Sequence, residues 1–423
     1  MKTLIPFYVR VVALLTLSAL ACAIYAAPDE ELLGKAKGYP IGTRSNWFYD
    51  ESVRVGSFSN LDKISPHNVL SVLPRTQPVL ELPRATDAAA FASTFSYPFE
   101  GKQYSIDDYL QHQRVTGLLI IKDGKLLVER YQYDRTPTHR LVSQSMAKSI
   151  VSLAIGMALQ EGKIRSLDDT VATYVPQLKG YAYGETKIRN ILRMASGVRF
   201  TEIYDGKDDL TKFSLIQSNV GSLSALQAFN EREVPEGQRF RYASSETQLL
   251  ALVLHEVTGM SVSEYLAEKL WKPMGAEADA TWIKTSDGLE RASGNFSATL
   301  RDWGRLGILL ANDGQRLDLA NQPQILPKNY LLEATDWHRH PAAFAPKTAT
   351  SYFGYGYQFW IFAGERRRFA LRGVYGQTIY VDPEQKLVLV QTAVAKNASI
   401  GKESMLREMG AVWLALVNRA GSW

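Results

Sequence analysis

The chain has 423 residues, of which 46% are hydrophobic and 11% aromatic, so it can bury a sizeable core in one large domain or two interlocked subdomains. Its 48 basic and 43 acidic residues give a formal net charge of +5 without a dense Lys/Arg run, which argues against a nucleic-acid partner. Cys22 is the only cysteine, and it lies in the N-terminal segment. A mature chain from which this segment has been removed would have no disulfide, no thiolate metal site and no thiol nucleophile.

The N-terminal segment has the layout of a secretory signal peptide: a basic head, a short apolar stretch and small residues before Pro28. The apolar stretch has about 15 residues and a spanning helix needs about 20, so cleavage is favoured over an uncleaved membrane anchor. We predict a signal peptide at residues 1–27, export to the periplasm of a bacterium, and no stable membrane span after the signal is cleaved. Lipid modification of Cys22 is the disfavoured alternative, because the residues before it are a poor lipoprotein signal.

Residues 28 to about 110 mix polar residues, Pro and Gly without a sustained period, which predicts an irregular N-terminal extension. From Thr116 to Tyr131, two apolar runs flank Asp123-Gly124. That dipeptide supplies the positive φ angles of a tight turn, so this segment is predicted to be a two-stranded antiparallel hairpin.

An apolar helix is predicted to begin at Ser145. The residues from Ile150 to Leu159 leave almost no polar face, which indicates burial on most sides, and Gly162 provides a C-terminal stop. A longer and mainly helical stretch follows, from about residue 165 to about residue 310, and is predicted to be an inserted subdomain.

The C-terminal part is rich in strands again. Residues 355–394 carry turns at Gly364-Glu365 and Asp382-Pro383, which predicts an antiparallel meander, and an amphipathic helix closes the chain. Strands at both ends with helices between them predict an α/β (α+β) fold, with one antiparallel sheet built from both chain ends and flanked by helices. The aromatic stretch Tyr352 to Trp360 fits either a pocket wall or a core strand.

Ser145 and Lys148 lie three residues apart in the first turn of the apolar helix. Positions i and i+3 share a helix face, so the amine can reach the hydroxyl. The N–H of Ser145 lies at the positive end of the helix dipole, where an oxyanion is stabilised, and apolar surroundings favour a neutral, proton-accepting amine. A capping serine beside an exposed lysine is the alternative, and the same spacing at Ser399 and Lys402 is interpreted as a chance match.

Five blocks of sequence, in order along residues 110 to 415, carry a family resemblance. They read SMAKSIVSLAIGMALQEGKIRSLDDTVATYVPQLKG, IRNILRMASGVRF, FRYASSETQLLALVLHEVTG, LWKPMGAEADATW and GVYGQTIYVDP. In these blocks the chain resembles the serine β-lactamase/penicillin-binding-protein superfamily, in the branch of class C β-lactamases, carboxylesterases and 6-aminohexanoate-dimer hydrolase. The resemblance implies a β-lactamase/transpeptidase-like hydrolase domain over residues 111–415.

Carried over residue by residue, the resemblance implies that Ser145 is the nucleophile and that Lys148 and Tyr242 share the general-base role. Ser244 takes the third place of the tyrosine motif. The implied oxyanion hole pairs the N–H of Ser145 with that of Val374. No metal or cofactor is required.

The last strand departs from the superfamily's pattern. The triplet Lys/His-Thr/Ser-Gly, which helps hold a substrate carboxylate in β-lactamases and peptidases, is absent from Leu371 to Gln377. Strand alternation is expected to turn Arg372 away from the face that Val374 shows; if it reached the site, it could substitute for the missing group. The further substrate-binding candidates are Ser244, Gly373, Tyr375 and Gln377.

The sequence therefore predicts an exported serine hydrolase that cleaves small ester or amide bonds through an acyl-enzyme on Ser145. A β-lactamase or D-alanyl-D-alanine peptidase is the first alternative, with the missing triplet against it. A catalytically inactive binding or sensor module is the second, and the presence of serine, lysine and tyrosine together disfavours it.

Overall fold

A computed structural model of the chain describes residues 26–318, 324–398 and 404–420. The predicted signal peptide up to residue 25, with Cys22, lies outside the described residues, as does the second Ser-x-x-Lys match at Ser399. In the described ranges, no helix is long and apolar enough to cross a membrane.

The helices are α1 (Glu51–Phe58), α2 (Ala88–Thr94), α3 (Ile106–His112), α4 (Met146–Gln160), α5 (Ile188–Leu192), α6 (Asp209–Asn219), α7 (Ser222–Gln227), α8 (Ser244–Thr258), α9 (Val262–Leu266), α10 (Leu300–Ala311), α11 (Lys328–Thr335) and α12 (Ser404–Ala420). The strands are β1 (His67–Leu70), β2 (Tyr97–Phe99), β3 (Lys102–Tyr104), β4 (Val115–Lys122), β5 (Lys125–Tyr131), β6 (Arg140–Val142), β7 (Ala280–Ile283), β8 (Phe296–Thr299), β9 (Gly354–Tyr355), β10 (Trp360–Ile361), β11 (Phe369–Gly373), β12 (Gln377–Asp382) and β13 (Leu387–Ala393).

The central sheet has seven strands in the order β5-β4-β13-β12-β11-β10-β9, all paired antiparallel. The hairpin β4–β5 turns at Asp123 and Gly124, whose φ angles are 50° and 75°. The predicted sheet built from both chain ends is confirmed, because β4 pairs directly with β13 over seven residues. Antiparallel pairing lets the two chain ends meet without a crossover helix between adjacent strands.

Both faces of this sheet are covered, and the alternation along β4 shows how. Leu119 and Ile121 belong to a core shared with α4 and α10, whereas Leu118 and Ile120 belong to a core shared with α12. Successive side chains of a strand point to opposite faces, so one strand contributes to both cores. The molecule is therefore layered, with helices on each side of the sheet.

The N-terminal extension was expected to be irregular, but it contains three short helices and three short strands. Its helices and strands are too short to show a hydrophobic period in the sequence. Individual side-chain contacts to the rest of the protein hold them in place. Buried Arg54 donates to the carbonyl oxygens of Phe48, Tyr49 and Ala395. Arg114 forms ion pairs with Asp29 and Glu51 at 2.7 Å each. These contacts hold the extension against the hydrolase domain.

The inserted region from about 165 to 310 contains helices α5 to α10 but also strands β7 and β8. These two strands form a second sheet in the order β1-β7-β8-β6, with β1 contributed by the extension. Strand β6 runs towards Ser145, and the N–H of Ser143 donates to Phe296 O at 2.7 Å. This sheet thus fixes the chain immediately before the predicted nucleophile.

Candidate active site

Ser145 lies at the junction of the two sheets, as the N-cap of helix α4. The residue before it, Gln144, has a φ of 44°, so the chain turns sharply out of β6 and into the helix. Ser145 itself has helical angles, with φ −68° and ψ −1°. Gly162, at a φ of 70°, follows the end of the helix as the sequence predicts. The hydroxyl of Ser145 is thereby presented from the first turn of a buried helix.

Lys148 is 1% exposed, and its amine is surrounded by oxygen atoms. The Nζ donates to Ser145 Oγ at 3.0 Å, to Ser244 Oγ at 3.0 Å and to the carbonyl of Ser293 at 2.7 Å. Burial lowers the pKa of Lys148 to about 8, although the charge of Glu202 opposes this. An amine with this pKa is available as a proton acceptor for Ser145 near neutral pH.

Tyr242 completes the predicted trio. Its ring lies 4.9 Å from Lys148 Nζ and stacks on Trp360 with ring centroids 5.4 Å apart. Burial raises the pKa of Tyr242 well above its ordinary value, while Ser145 and Arg372 act in the opposite direction. The opposite pKa shifts of the two residues favour a resting state in which Tyr242 keeps its proton and Lys148 is the readier base.

Glu202 is a site residue that the sequence did not reveal. Its carboxylate accepts hydrogen bonds from the N–H of Ser244 at 2.8 Å, from Ser244 Oγ at 3.0 Å and from the hydroxyl of Tyr204 at 2.6 Å. It thus caps the N-terminus of α8 and orients Ser244 towards Lys148. Glu202 lies in the segment between α5 and α6, where no period or motif distinguishes it from other acids.

Gly373 brings the edge of β11 against the start of α4. A Cβ at this position would lie 2.4 Å from Ser143 O and 2.9 Å from the nitrogen of Ser145, so only glycine permits this approach. Val374, the next residue, borders the same cavities as Ser145. Val374 and Ser145 thus line the same space, and the pairing of their N–H groups in an oxyanion hole stays a prediction.

Tyr375 and Gln377, two predicted substrate contacts, face the protein interior. Tyr375 packs against Phe48 and lies under the Arg54 guanidinium, 4.2 Å from its ring centre. Gln377 is 1% exposed and donates to the carbonyls of Val374, Tyr375 and Ala393. Both side chains support the turn after β11, which positions Val374, and neither lines a cavity beside Ser145.

A cavity of about 310 Å³ borders Ser145. The N-terminal extension forms part of its wall through Arg44, Ser45 and the aromatic residues 47–49. Glu202 and Arg291 also line it. We refer to this space as the large cleft. The extension is therefore part of the site, a role that its sequence did not indicate.

A second cavity of about 190 Å³ also borders Ser145, and we refer to it as the small pocket. The residues around it are Ser145, Tyr204, Tyr242, Trp360, Arg372, Gly373, Val374 and Ala398. Trp360 belongs to the aromatic stretch noted in the sequence, whereas Tyr357 and Phe359 of that stretch pack in the core.

Arg372 borders the small pocket, contrary to the orientation expected from strand alternation. Val374 lies just beyond the end of β11, and it borders the small pocket together with Arg372. The alternation places Arg372 with Ala370 and away from the core of Phe369 and Leu371. The sequence expectation was wrong because alternation turns adjacent residues to opposite faces, whereas Arg372 and Val374 are two positions apart.

Within the described residues, no group of three or more His, Cys, Asp or Glu side chains could hold a metal ion. The side chains that meet at this site are a hydroxyl, an amine and a phenol. This set can carry out acyl transfer by nucleophilic attack.

Comparisons with known proteins show the family and the fold. The sequence model of the Beta-lactamase family matches residues 105–398. The 6-aminohexanoate-dimer hydrolase of Paenarthrobacter ureafaciens is 24% identical over 298 residues, which is 68% of this chain and 74% of that protein.

Two solved structures show the same fold. A Bacillus anthracis protein provisionally assigned as a 6-aminohexanoate-dimer hydrolase is similar with a TM-score of 0.76 and 23% identity, covering 89% of this chain and 95% of its own. EstCE1, a hydrolase with promiscuous acyltransferase activity, is similar with a TM-score of 0.55 and 15% identity, covering 73% of this chain and 95% of its own.

Proposed function

The chain belongs to the Beta-lactamase family, and from this premise we propose that it is an exported serine hydrolase that cleaves small linear amide or ester bonds through an acyl-enzyme on Ser145. The observation that carries the proposal is the contact between Lys148 Nζ and Ser145 Oγ at 3.0 Å, made inside the protein. A buried amine held on a serine hydroxyl is the arrangement that activates a nucleophile.

The first half of the reaction forms the acyl-enzyme. Lys148 takes the Ser145 proton as Oγ attacks the carbonyl carbon, and the amides of Ser145 and Val374 hold the negative oxygen of the tetrahedral intermediate. Tyr242 then gives a proton to the departing nitrogen or oxygen as the scissile bond breaks, and it regains a proton from Lys148.

The second half releases the acyl group. A water molecule attacks the ester carbon of the acyl-enzyme and loses a proton to the Lys148–Tyr242 pair, and that proton returns to Ser145 Oγ as the bond to the serine breaks. The carboxylic acid product and the free enzyme result, and no other reactant is consumed.

The relatives support small amides and esters as the substrate class. One relative is named for an amide, the 6-aminohexanoate dimer, and a structural neighbour is described as a hydrolase with acyltransferase activity. The missing Lys/His-Thr/Ser-Gly triplet disfavours bicyclic β-lactams, because misplacing the reacting carbonyl costs rate steeply. Export is proposed from the N-terminal sequence pattern alone, and mass spectrometry of the mature protein is expected to find its start between residues 22 and 30.

A fluorophosphonate probe and a substrate panel test the proposal. We expect the probe to label Ser145, short-chain p-nitrophenyl esters to be hydrolysed clearly, short linear amides to be turned over, and nitrocefin to be a poor substrate. Absence of labelling would favour the inactive-module alternative. A kcat/KM for nitrocefin at least tenfold above that for the esters would favour the β-lactamase alternative.

A further inference from the structure

Arg54, in helix α1 of the N-terminal extension, is a buried cation whose hydrogen bonds in the described part of the chain all go to backbone carbonyl oxygens. It is 2% exposed. Its Nε donates to Phe48 O at 3.3 Å, its Nη2 to Tyr49 O at 2.9 Å and its Nη1 to Ala395 O at 3.0 Å. Burial lowers the pKa of Arg54, so these contacts offset the lost hydration of its charge only in part. An arginine kept inside the protein at this cost calls for a role other than stability.

The guanidinium of Arg54 also contacts the turn that follows β11. Its central carbon lies 4.2 Å from the ring centre of Tyr375. Phe48 and Phe58 of the extension pack on the same ring, with centroids 5.1 and 5.7 Å away. Tyr375 has a φ of 61° and a ψ of 23°, in the left-handed region that a residue with a Cβ seldom adopts. Such a conformation persists where the surrounding structure imposes it, and the extension supplies three of the contacts around this ring.

The same turn carries the backbone amide of Val374, the residue before Tyr375. The N–H of Ala395 donates to Tyr375 O at 3.1 Å, and the carbonyl of Ala395 accepts from Arg54. Arg54 therefore contacts the turn directly through the Tyr375 ring and indirectly through Ala395. A donor stabilises an oxyanion only when it already points to the place where the charge develops. The contacts that hold Tyr375 thus also determine the direction of the Val374 N–H.

We infer that Arg54 is a positioning residue for the proposed acyl transfer: it fixes the turn at Tyr375 and thereby directs the N–H of Val374 towards the oxyanion. This inference rests on the proposed function. Arginine suits the task because a planar guanidinium can lie against an aromatic ring while its edge donates to several carbonyls. A lysine offers the charge without the plane. The N-terminal extension thus acts on the chemistry itself, in addition to lining the large cleft.

A pair of esters that differ in one atom tests the inference. In the thiono analogue of p-nitrophenyl acetate, sulfur replaces the carbonyl oxygen, and sulfur is the larger atom and the weaker acceptor. The oxo-to-thiono ratio of kcat/KM therefore reports how well the backbone donors fit the oxyanion. In Arg54→Met we expect this ratio to fall about tenfold or more, with a loss in kcat and little change in KM. Arg54→Lys should recover only part of the ratio.

Two further variants separate positioning from stability. Arg114 is also buried and joins the extension to the hydrolase domain through Asp29 and Glu51, so Arg114→Met is the matched control. It should lower the free energy of unfolding and leave the oxo-to-thiono ratio unchanged. Tyr375→Leu removes the ring under Arg54 and should lower the ratio as Arg54→Met does. The double variant should fall no further than either single variant, because both changes act through one turn.

Fluorophosphonate labelling separates the failures, since it counts the active sites to which each kcat refers. A wild type that is not labelled would remove both the proposed function and the inference. A labelled wild type whose ratio is shared by Arg54→Met would overturn the inference alone, as would equal losses for the two esters, which would show a merely structural cation. Should Arg54→Met fail to fold, Arg54→Lys decides, because it keeps a charge inside the protein without the planar group. An unchanged ratio in that variant would overturn the inference.

Discussion

Two buried cations border the same nucleophile, and their environments differ in one respect. On the helix side of Ser145, the Lys148 amine has three oxygen acceptors within 3.0 Å. On the strand side, Arg372 has aromatic faces around it and no hydrogen-bond acceptor among the described residues. Both residues are almost fully inaccessible to solvent. Lys148 therefore has a full set of hydrogen-bond acceptors, whereas Arg372 has none among the described residues.

The environment of Lys148 is the one that a general base needs. A general base must be fixed against its serine and must carry a lowered pKa, and both needs are met by contacts within the protein.

Removing the proposed catalytic side chains should have the largest effect. Ser145→Ala should abolish covalent labelling, and Lys148→Met and Tyr242→Phe should each lower kcat about a hundredfold or more, because a general acid–base group is lost. Steady-state kinetics on p-nitrophenyl acetate and circular dichroism of each variant provide the measurements.

Ser399→Ala is the matched control for these variants, since it removes the serine of the second Ser-x-x-Lys match and should leave both labelling and turnover as they are. Turnover by Ser145→Ala at the wild-type rate would refute the assignment of the nucleophile.

The pH dependence should be the next largest effect. Lys148 must be neutral to accept a proton, and burial lowers its pKa from 10.5 to about 8. The kcat/KM should therefore rise with pH up to about pH 8, by about tenfold per pH unit on the acidic side, and then level off. A pH–rate profile on a neutral ester checks this. A limb centred near pH 10 would mean that the amine is not desolvated during the reaction.

The smallest expected effect concerns Glu202. Its negative charge stabilises the protonated form of Lys148, so Glu202→Gln should move the acidic limb of the pH profile to lower pH, with a change in kcat of about tenfold or less. The carboxylate also holds Ser244, whose hydrogen bonds a glutamine can keep only in part. Glu365→Gln, at a side chain that is 95% exposed, is the matched control and should not move the limb. A limb that shifts upwards in Glu202→Gln would contradict the electrostatic account.

The sequence by itself determined the elements whose signals are local. The Asp123-Gly124 turn, the start of α4 at Ser145 and its stop at Gly162 depend on backbone preferences of adjacent residues. The spacing of Ser145 and Lys148 determined their shared face, because three residues along a helix always bring side chains together. The order of the family blocks added Tyr242 and the strand-rich C-terminal part.

Only the tertiary structure decided which distant residues complete the site. Glu202, the carbonyl of Ser293 and the aromatic wall at residues 47–49 come from segments without a period, each brought to Ser145 by long-range packing. The sequence also does not reveal that the Arg372 guanidinium has no hydrogen-bond or ion-pair partner among the described residues, because that depends on every segment packed around it. Local preferences act between neighbours along the chain, whereas burial and the lack of a partner exist only once segments far apart in sequence have packed together.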